Sequence, residues 1–128
     1  MKAGVGVIGC GNISRVYLEN LKKFPGLELV AVSDQIRERA EEKAEEYNIP
    51  HVYSTEELLA EPRIQIVVNL TIPESHAEIS MAAFQAGKSV YVEKPLATTC
   101  EDGRKVLELA DDNSRIAAAP DTFLGGGL

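Results

Sequence analysis

The sequence predicts an α/β chain with a doubly wound, mainly parallel sheet and helices on both faces. Two observations carry that prediction. Short apolar runs rich in Val and Ile alternate with amphipathic, charge-laced stretches along the chain, and Gly or Pro stands at many of the boundaries. A glycine turn, Gly9-Cys10-Gly11, follows directly on the first apolar run. Strand and helix in strict alternation mean βαβ units, whose parallel strands are buried by crossover helices.

The elements read in order as follows. Residues 5–8 form a short buried strand that runs into the glycine turn. Residues 13–24 are helical, because Ile13, Val16, Tyr17, Leu21 and Phe24 recur at i, i+3, i+4 spacing. Pro25-Gly26 stops that helix, and residues 27–33 make a second strand that ends on Asp34. Residues 36–47 are a helix with a charged outer face, which reads as solvated surface. A short strand near His51-Val52-Tyr53 precedes a short helix from Thr55, for which Ser54 or Thr55 is a suitable N-cap. Residues 64–70 (IQIVVNL) are almost continuously apolar and β-branched, as a strand buried on both faces requires. A helix over 74–86 ends at Gly87, a fifth strand covers 89–92, a helix spans 99–110, and a sixth strand falls at 116–119.

The bulk composition narrows the partners. With 128 residues the chain has one domain's length, and its 45% hydrophobic and 26% charged residues are those of a soluble globular protein. A net charge of −7 with no basic stripe makes nucleic acid and anionic membranes poor partners. No apolar run approaches the roughly 20 residues that span a bilayer. Cys10 and Cys100 have neither metal-ligand spacing nor a disulfide framework, so the expectation is reduced thiols, no metal site and a cytoplasmic location. Cys10 lies within the glycine turn, either as a small residue filling a tight bend or as a reactive thiol at a helix N-terminus.

Gly9-Cys10-Gly11-Asn12-Ile13-Ser14 is a G-x-G-x-x-G fingerprint whose third glycine is serine. In an open parallel sheet, ligands bind beyond the carboxyl ends of the strands, where the strand order reverses, and the first βα turn lies there. Gly9 permits the tight bend and Gly11 lets the backbone approach a phosphate. The N–H groups of a helix starting near Asn12 or Ile13 then stabilise the anion. The third glycine serves helix–strand packing, a task Ser14 can perform. Asp34 stands 25 residues after Gly9, where dinucleotide folds place the carboxylate that accepts from the adenosine ribose, and it is also a candidate N-cap of the next helix. A carboxylate there favours NAD over NADP, although Arg37 and Arg39 are near enough to pair a 2′-phosphate.

Two further strand ends should face the same crevice: Thr71-Ile72-Pro73-Glu74-Ser75-His76 and Glu93-Lys94-Pro95. A lysine at a desolvated strand end suits proton transfer. Its ordinary pKa of about 10.4 would fall through desolvation and the positive charge of an oxidised nicotinamide. The competing role for Lys94 is a surface charge paired with Glu93.

Together, GVIGCGNIS, a strand ending Ser33-Asp34, NLTIPESHAEI and VYVEKPLA resemble the N-terminal domain of the Gfo/Idh/MocA oxidoreductases. The resemblance covers nearly the whole chain, and APDTFLGGGL is similar to the domain junction of one subgroup. It implies a Rossmann-type NAD(P)-binding domain over residues 1–120, with 121–128 beginning the junction to a substrate and oligomerisation domain that is absent here. It implies hydride transfer between nicotinamide and a carbinol carbon of a sugar, inositol or related polyol, in a full-length homo-oligomer. Carried over by position, Lys94 is the catalytic residue that contacts the substrate hydroxyl, with Glu93 and Pro95 holding it near the nicotinamide. Gly9, Gly11, Asn12, Ile13 and Asp34 fall on pyrophosphate and ribose positions. Thr71, Ile72 and Pro73 line the cofactor's central part, and His76 either contacts it or serves as a satisfied helix-start residue. The family's remaining acid/base residues lie in the missing domain, so the 128-residue chain is expected to bind cofactor without turnover. The alternative is a non-catalytic nucleotide-binding module with a regulatory or redox-sensing role. A methyltransferase would leave Glu93-Lys94-Pro95 without a purpose.

Overall fold

A computed structural model describes residues 2–113 and 115–120. Six parallel strands, β1 (Ala3–Ile8), β2 (Leu27–Ser33), β3 (His51–Val52), β4 (Ile66–Asn69), β5 (Ser89–Val92) and β6 (Ala117–Ala118), lie in the order β3-β2-β1-β4-β5-β6. The order reverses between β1 and β4, so the switch point falls where the glycine turn leaves β1. The expected fold class is the observed one.

Five helices connect the strands: α1 (Ser14–Leu21), α2 (Arg37–Tyr47), α3 (Thr55–Ala60), α4 (His76–Gln85) and α5 (Cys100–Asp112). Right-handed crossovers on an order that runs first one way and then the other place the two helix groups on opposite faces. One core joins Val5, Val7, Leu29, Val32 and Val68 of the strands to Leu18 and Leu21 of α1 and Ala40 of α2. The second joins Ile8, Val30, Val67, Val90 and Val92 to Leu58 of α3, Ala83 and Phe84 of α4, and Val106 and Ala110 of α5. Leu58 and Phe84 are completely buried, each worth roughly 1.5–3 kcal/mol relative to exposure.

Local chemistry moved several boundaries. β1 begins at Ala3, two residues before the expected start, because Gly4 lets the Arg63 carbonyl press against the strand: a Cβ there would lie 1.7 Å from that oxygen. α1 is shorter than 13–24. Phe24 precedes Pro25, which disfavours helical geometry, and the chain instead turns with the Leu27 amide on the Phe24 carbonyl (3.2 Å). Ile64 is buried but outside the ladder, since its amide turns back to Glu61 (3.1 Å). Pro73 opens a 3-10 turn, Pro73–Ser75, so α4 itself starts at His76. Of the two N-cap candidates for α3, Ser54 serves, in a reciprocal capping box with Glu57. The expected junction over 121–128 lies outside the described residues.

Candidate functional site

The glycine turn is fixed from three sides. The Gly9 amide donates to the Ser33 carbonyl (2.8 Å), and the Leu70 amide donates to Ile8 (2.8 Å). Gly9 has φ +108°, and a Cβ there would sit 2.4 Å from the Leu70 oxygen, so both conformation and space demand glycine. Gly11 differs: a Cβ there would meet no atom within 4 Å. Nothing in the chain's own packing needs glycine at that position, which leaves room for an approaching ligand as its use.

Helix α1 begins at Ser14, later than expected, and its N-cap, Ile13, provides no side-chain acceptor. Ser14 is fully buried, and its hydroxyl donates to the Gly11 carbonyl (2.6 Å). The serine therefore packs where the missing glycine would and also braces the turn. The first amides of α1 have no capping side chain, an arrangement suited to an anion.

Asp34 does more than the sequence suggested. Its Oδ2 accepts from the Cys10 amide (2.7 Å) and its Oδ1 from the Ile36 amide (2.7 Å), tying the glycine turn to the end of β2. It is not the N-cap of α2, which starts at Arg37 with Ile36 at the cap position and no capping side chain. Arg37 is turned away onto Glu41 (3.1 Å) and the Val52 carbonyl (3.5 Å). Arg39 instead lines two clefts beside the turn. One, of ≈ 350 Å³, runs from Gly9, Gly11 and Asp34 past Gln35 and Thr55 to Thr71, Ile72 and Ser75; the other, of ≈ 410 Å³, is bordered by Cys10, Gly11, Asn12, Glu42 and Lys43. Gln35 and Lys43 carry no sequence signal that singles them out, and Thr55 carries only that of a helix start.

Cys10 is 4% exposed with its Sγ on the Ser33 carbonyl (3.6 Å). Burial first, and the Asp34 charge second, push its thiol up to about 12. Of the two roles left open for it, the small residue in a tight bend is the one realised, because a thiol that stays protonated is a poor nucleophile.

The other two strand ends meet the same edge and are bolted together. Asn69, wholly buried at the end of β4, donates from Nδ2 to the His76 carbonyl (3.0 Å) and Ser80 Oγ (3.1 Å), while its Oδ1 accepts from Thr71 N (3.2 Å) and Oγ1 (2.7 Å). The His76 ring is 1% exposed, with Nδ1 at 2.6 Å from the Pro95 carbonyl and Nε2 at 2.7 Å from the Thr71 carbonyl. This histidine is the bridge between the Thr71 and Lys94 loops. Ile72 projects outward, 63% exposed. The Glu93 amide donates to Asn69 O (3.0 Å), and the Lys94–Pro95 bond is cis.

Glu93 accepts a hydrogen bond from the Tyr17 hydroxyl of α1. Burial, followed by the Glu93 hydrogen bond and charge, raises the Tyr17 pKa above the ordinary phenol value. Lys94 is exposed, and no carboxylate among the described residues lies within ion-pair distance of it. The surface Glu93–Lys94 pair is therefore not formed, and the described residues do not supply the desolvation expected of a strand-end lysine. Tyr17 and Asn69 escaped the sequence reading. Tyr17 sits on an apolar stripe that predicts only burial, and its partner is 76 residues away.

Residues 3–119 match the model of an oxidoreductase family with an NAD-binding Rossmann fold. Over 105 residues the chain is 32% identical to a myo-inositol 2-dehydrogenase of Thermotoga maritima, covering 81% of this chain and 31% of that protein. Among solved structures, GenD2 from gentamicin A biosynthesis in complex with NAD superposes with a TM-score of 0.88 at 27% identity, over 92% of this chain and 34% of that one. KijD10, a 3-ketoreductase from Actinomadura kijaniata with NADP and TDP-benzene, superposes with a TM-score of 0.88 at 28% identity, over 93% and 37%. The chain thus spans about a third of the length of the relatives it matches. Among the described residues no helix is long and apolar enough to cross a membrane. Turn, carboxylate and both strand-end loops all fall within the matched span, and this chain belongs to the Gfo/Idh/MocA oxidoreductase family, as its NAD-binding Rossmann domain.

Proposed function

We propose that this chain is the cofactor-binding part of an NAD(P)-dependent dehydrogenase that oxidises a carbinol carbon of a sugar, inositol or similar polyol. One observation supports it above the others. The His76 ring joins the Thr71 and Pro95 carbonyls, which fixes the Lys94 loop at the same sheet edge as the glycine turn, with the Lys94 ammonium unpaired among the described residues.

The residues present suit a dinucleotide. Gly11, with open space where a Cβ would be, and Asn12 and Ile13 at the uncapped N-terminus of α1 would receive the pyrophosphate. Asp34 keeps further lone pairs on each oxygen to accept from ribose hydroxyls. Thr71, Ile72 and Pro73 would flank the central part, and Glu93, Lys94 and Pro95 the nicotinamide end. A bound nicotinamide would supply the hydride acceptor. Lys94 would take the proton from the substrate hydroxyl, and His76 would hold its loop in register through backbone carbonyls. The fixed Asp34 carboxylate repels a 2′-phosphate, so NAD is the preferred cofactor, with Arg39 the residue that would admit NADP.

The greater length of the relatives supports a reading in which turnover needs a further domain and this chain contributes cofactor binding. A thiol-based redox sensor is disfavoured by the buried, protonated Cys10. Calorimetric titration of the chain with NAD and NADP separately tests the reading. Saturable binding of NAD, weaker for NADP, is expected; binding of neither would overturn it.

A further inference from the structure

Two helices reach the Lys94 loop from opposite faces of the sheet, each through one side chain. From α4 the His76 ring meets the Pro95 carbonyl (2.6 Å), and from α1 the Tyr17 hydroxyl donates to the Glu93 carboxylate. Alternation along β5 accounts for the second contact. Val90 and Val92 are buried with α4 and α5, so Tyr91 and Glu93 fall on the α1 side, where the Tyr17 and Tyr91 rings lie 6.1 Å apart. β5 ends at Val92, and beyond it the pleat no longer separates the long side chains of adjacent Glu93 and Lys94. A carboxylate that reached Lys94 would favour its charged form and hold the proton on it. The structure has the opposite arrangement. The Glu93 carboxylate is engaged by Tyr17, and Lys94 has no carboxylate partner among the described residues.

We propose that Tyr17 is a positioning residue for the proton-transfer step: its hydroxyl keeps the Glu93 carboxylate on the α1 side and so leaves Lys94 free to take a proton. Burial, then the Glu93 hydrogen bond and charge, raise the Tyr17 phenol above its ordinary range, so it stays a donor through neutral pH. The ionisable groups gathered at this contact are Tyr17 of α1 and Tyr91 and Glu93 at β5, while His76 of α4 meets the loop through a backbone carbonyl. Tyr17 stands one turn along α1 from Ser14, which braces the glycine turn, so one short helix meets both that turn and the lysine loop. This inference rests on reading Lys94 as the proton acceptor.

The charge on Lys94 itself tests it, without cofactor or turnover. Reductive methylation with isotope-labelled formaldehyde gives each lysine a dimethylammonium NMR signal whose shift follows its charge, and the signal lost in Lys94→Arg belongs to residue 94. In this chain Tyr17→Phe should raise the titration midpoint of that signal by about half a pH unit, the worth of an exposed ion pair. Adding Glu93→Gln to Tyr17→Phe should bring the midpoint back to the wild-type position or below it. A midpoint unmoved by Tyr17→Phe would overturn the proposal, and so would one that stays raised after the carboxylate is gone. In the full-length protein the pH profile of kcat should move to higher pH by the same amount in Tyr17→Phe. Turnover that survives Lys94→Ala, with the NMR shift present, would remove Lys94 as the base and leave the Tyr17 contact standing.

Discussion

Asp34 and Lys94 stand at the same edge of the sheet, and the chain treats them differently. Asp34 holds two backbone amides at 2.7 Å and is locked before any ligand arrives. Lys94 is held only through its neighbours, by the His76 bridge to the Pro95 carbonyl and the Glu93 amide on the Asn69 carbonyl, while its exposed side chain has no carboxylate partner among the described residues. A preorganised acceptor binds at little reorganisation cost, whereas a lysine gives up its proton more readily once it is enclosed and desolvated. The difference supports the proposed reading, in which this domain recognises the cofactor and the chemistry is shared with whatever encloses Lys94.

The sharpest way to break that comparison is Lys94→Ala in the full-length protein. Turnover should fall on the order of 10²–10⁴-fold, as for loss of a general base, with NAD affinity within about twofold of wild type. Unchanged turnover in steady-state kinetics would remove Lys94 from the reaction. Next in size is the pair Gly9→Ala and Gly11→Ala. The first forces a side chain into φ +108° and to within 2.4 Å of the Leu70 oxygen, so urea unfolding should report a loss of roughly 3 kcal/mol or more. The second meets no protein atom and should keep stability within about 0.5 kcal/mol while weakening NAD binding at least roughly tenfold. Equal destabilisation by both would mean that Gly11 serves packing.

The alternation of strands and helices was legible because burial on both faces selects apolar β-branched runs and crossovers select amphipathic ones. The apolar stripe of α1 was legible as a stripe, but not its partner: Leu18 and Leu21 are buried while Val16 and Phe24 lie half open, since periodicity says nothing about which surface covers a face. Asn69 reads only as one more residue of the 64–70 strand, and its satisfaction by Thr71, His76 and Ser80 exists only after the turn at Pro73 folds. His76 was legible as a polar residue at a helix start, yet its bond to Pro95 spans 19 residues and could not be read from spacing. The site was visible as motifs and invisible as a network.

A smaller effect tests the cofactor preference. Asp34→Asn keeps an acceptor for one amide but turns a donor toward the other, leaving one N–H unsatisfied at about 1–3 kcal/mol. NAD affinity should fall about tenfold, and the gap to NADP should narrow because the charge facing a 2′-phosphate is gone. Calorimetric titrations in which both affinities fall equally would show that Asp34 acts through the turn and does not discriminate.

The least costly change separates the two ends again. Tyr17→Phe removes the hydroxyl that donates to Glu93 and keeps the ring that lies 6.1 Å from Tyr91, so packing is preserved. A hydrogen bond to a carboxylate contributes about 1.5–3 kcal/mol, but Glu93 is only partly buried and water can replace part of it, so stability should drop by about 1 kcal/mol. Because Glu93 adjoins Lys94 and not the glycine turn, kcat of the full-length protein should fall several-fold, about 3–10, with NAD affinity unchanged. A fall in NAD affinity with kcat intact would reverse the assignment and place Tyr17 on the recognition side of the site. The Tyr17→Phe result therefore decides whether α1, which begins at the glycine turn, also reaches across to steady the lysine loop.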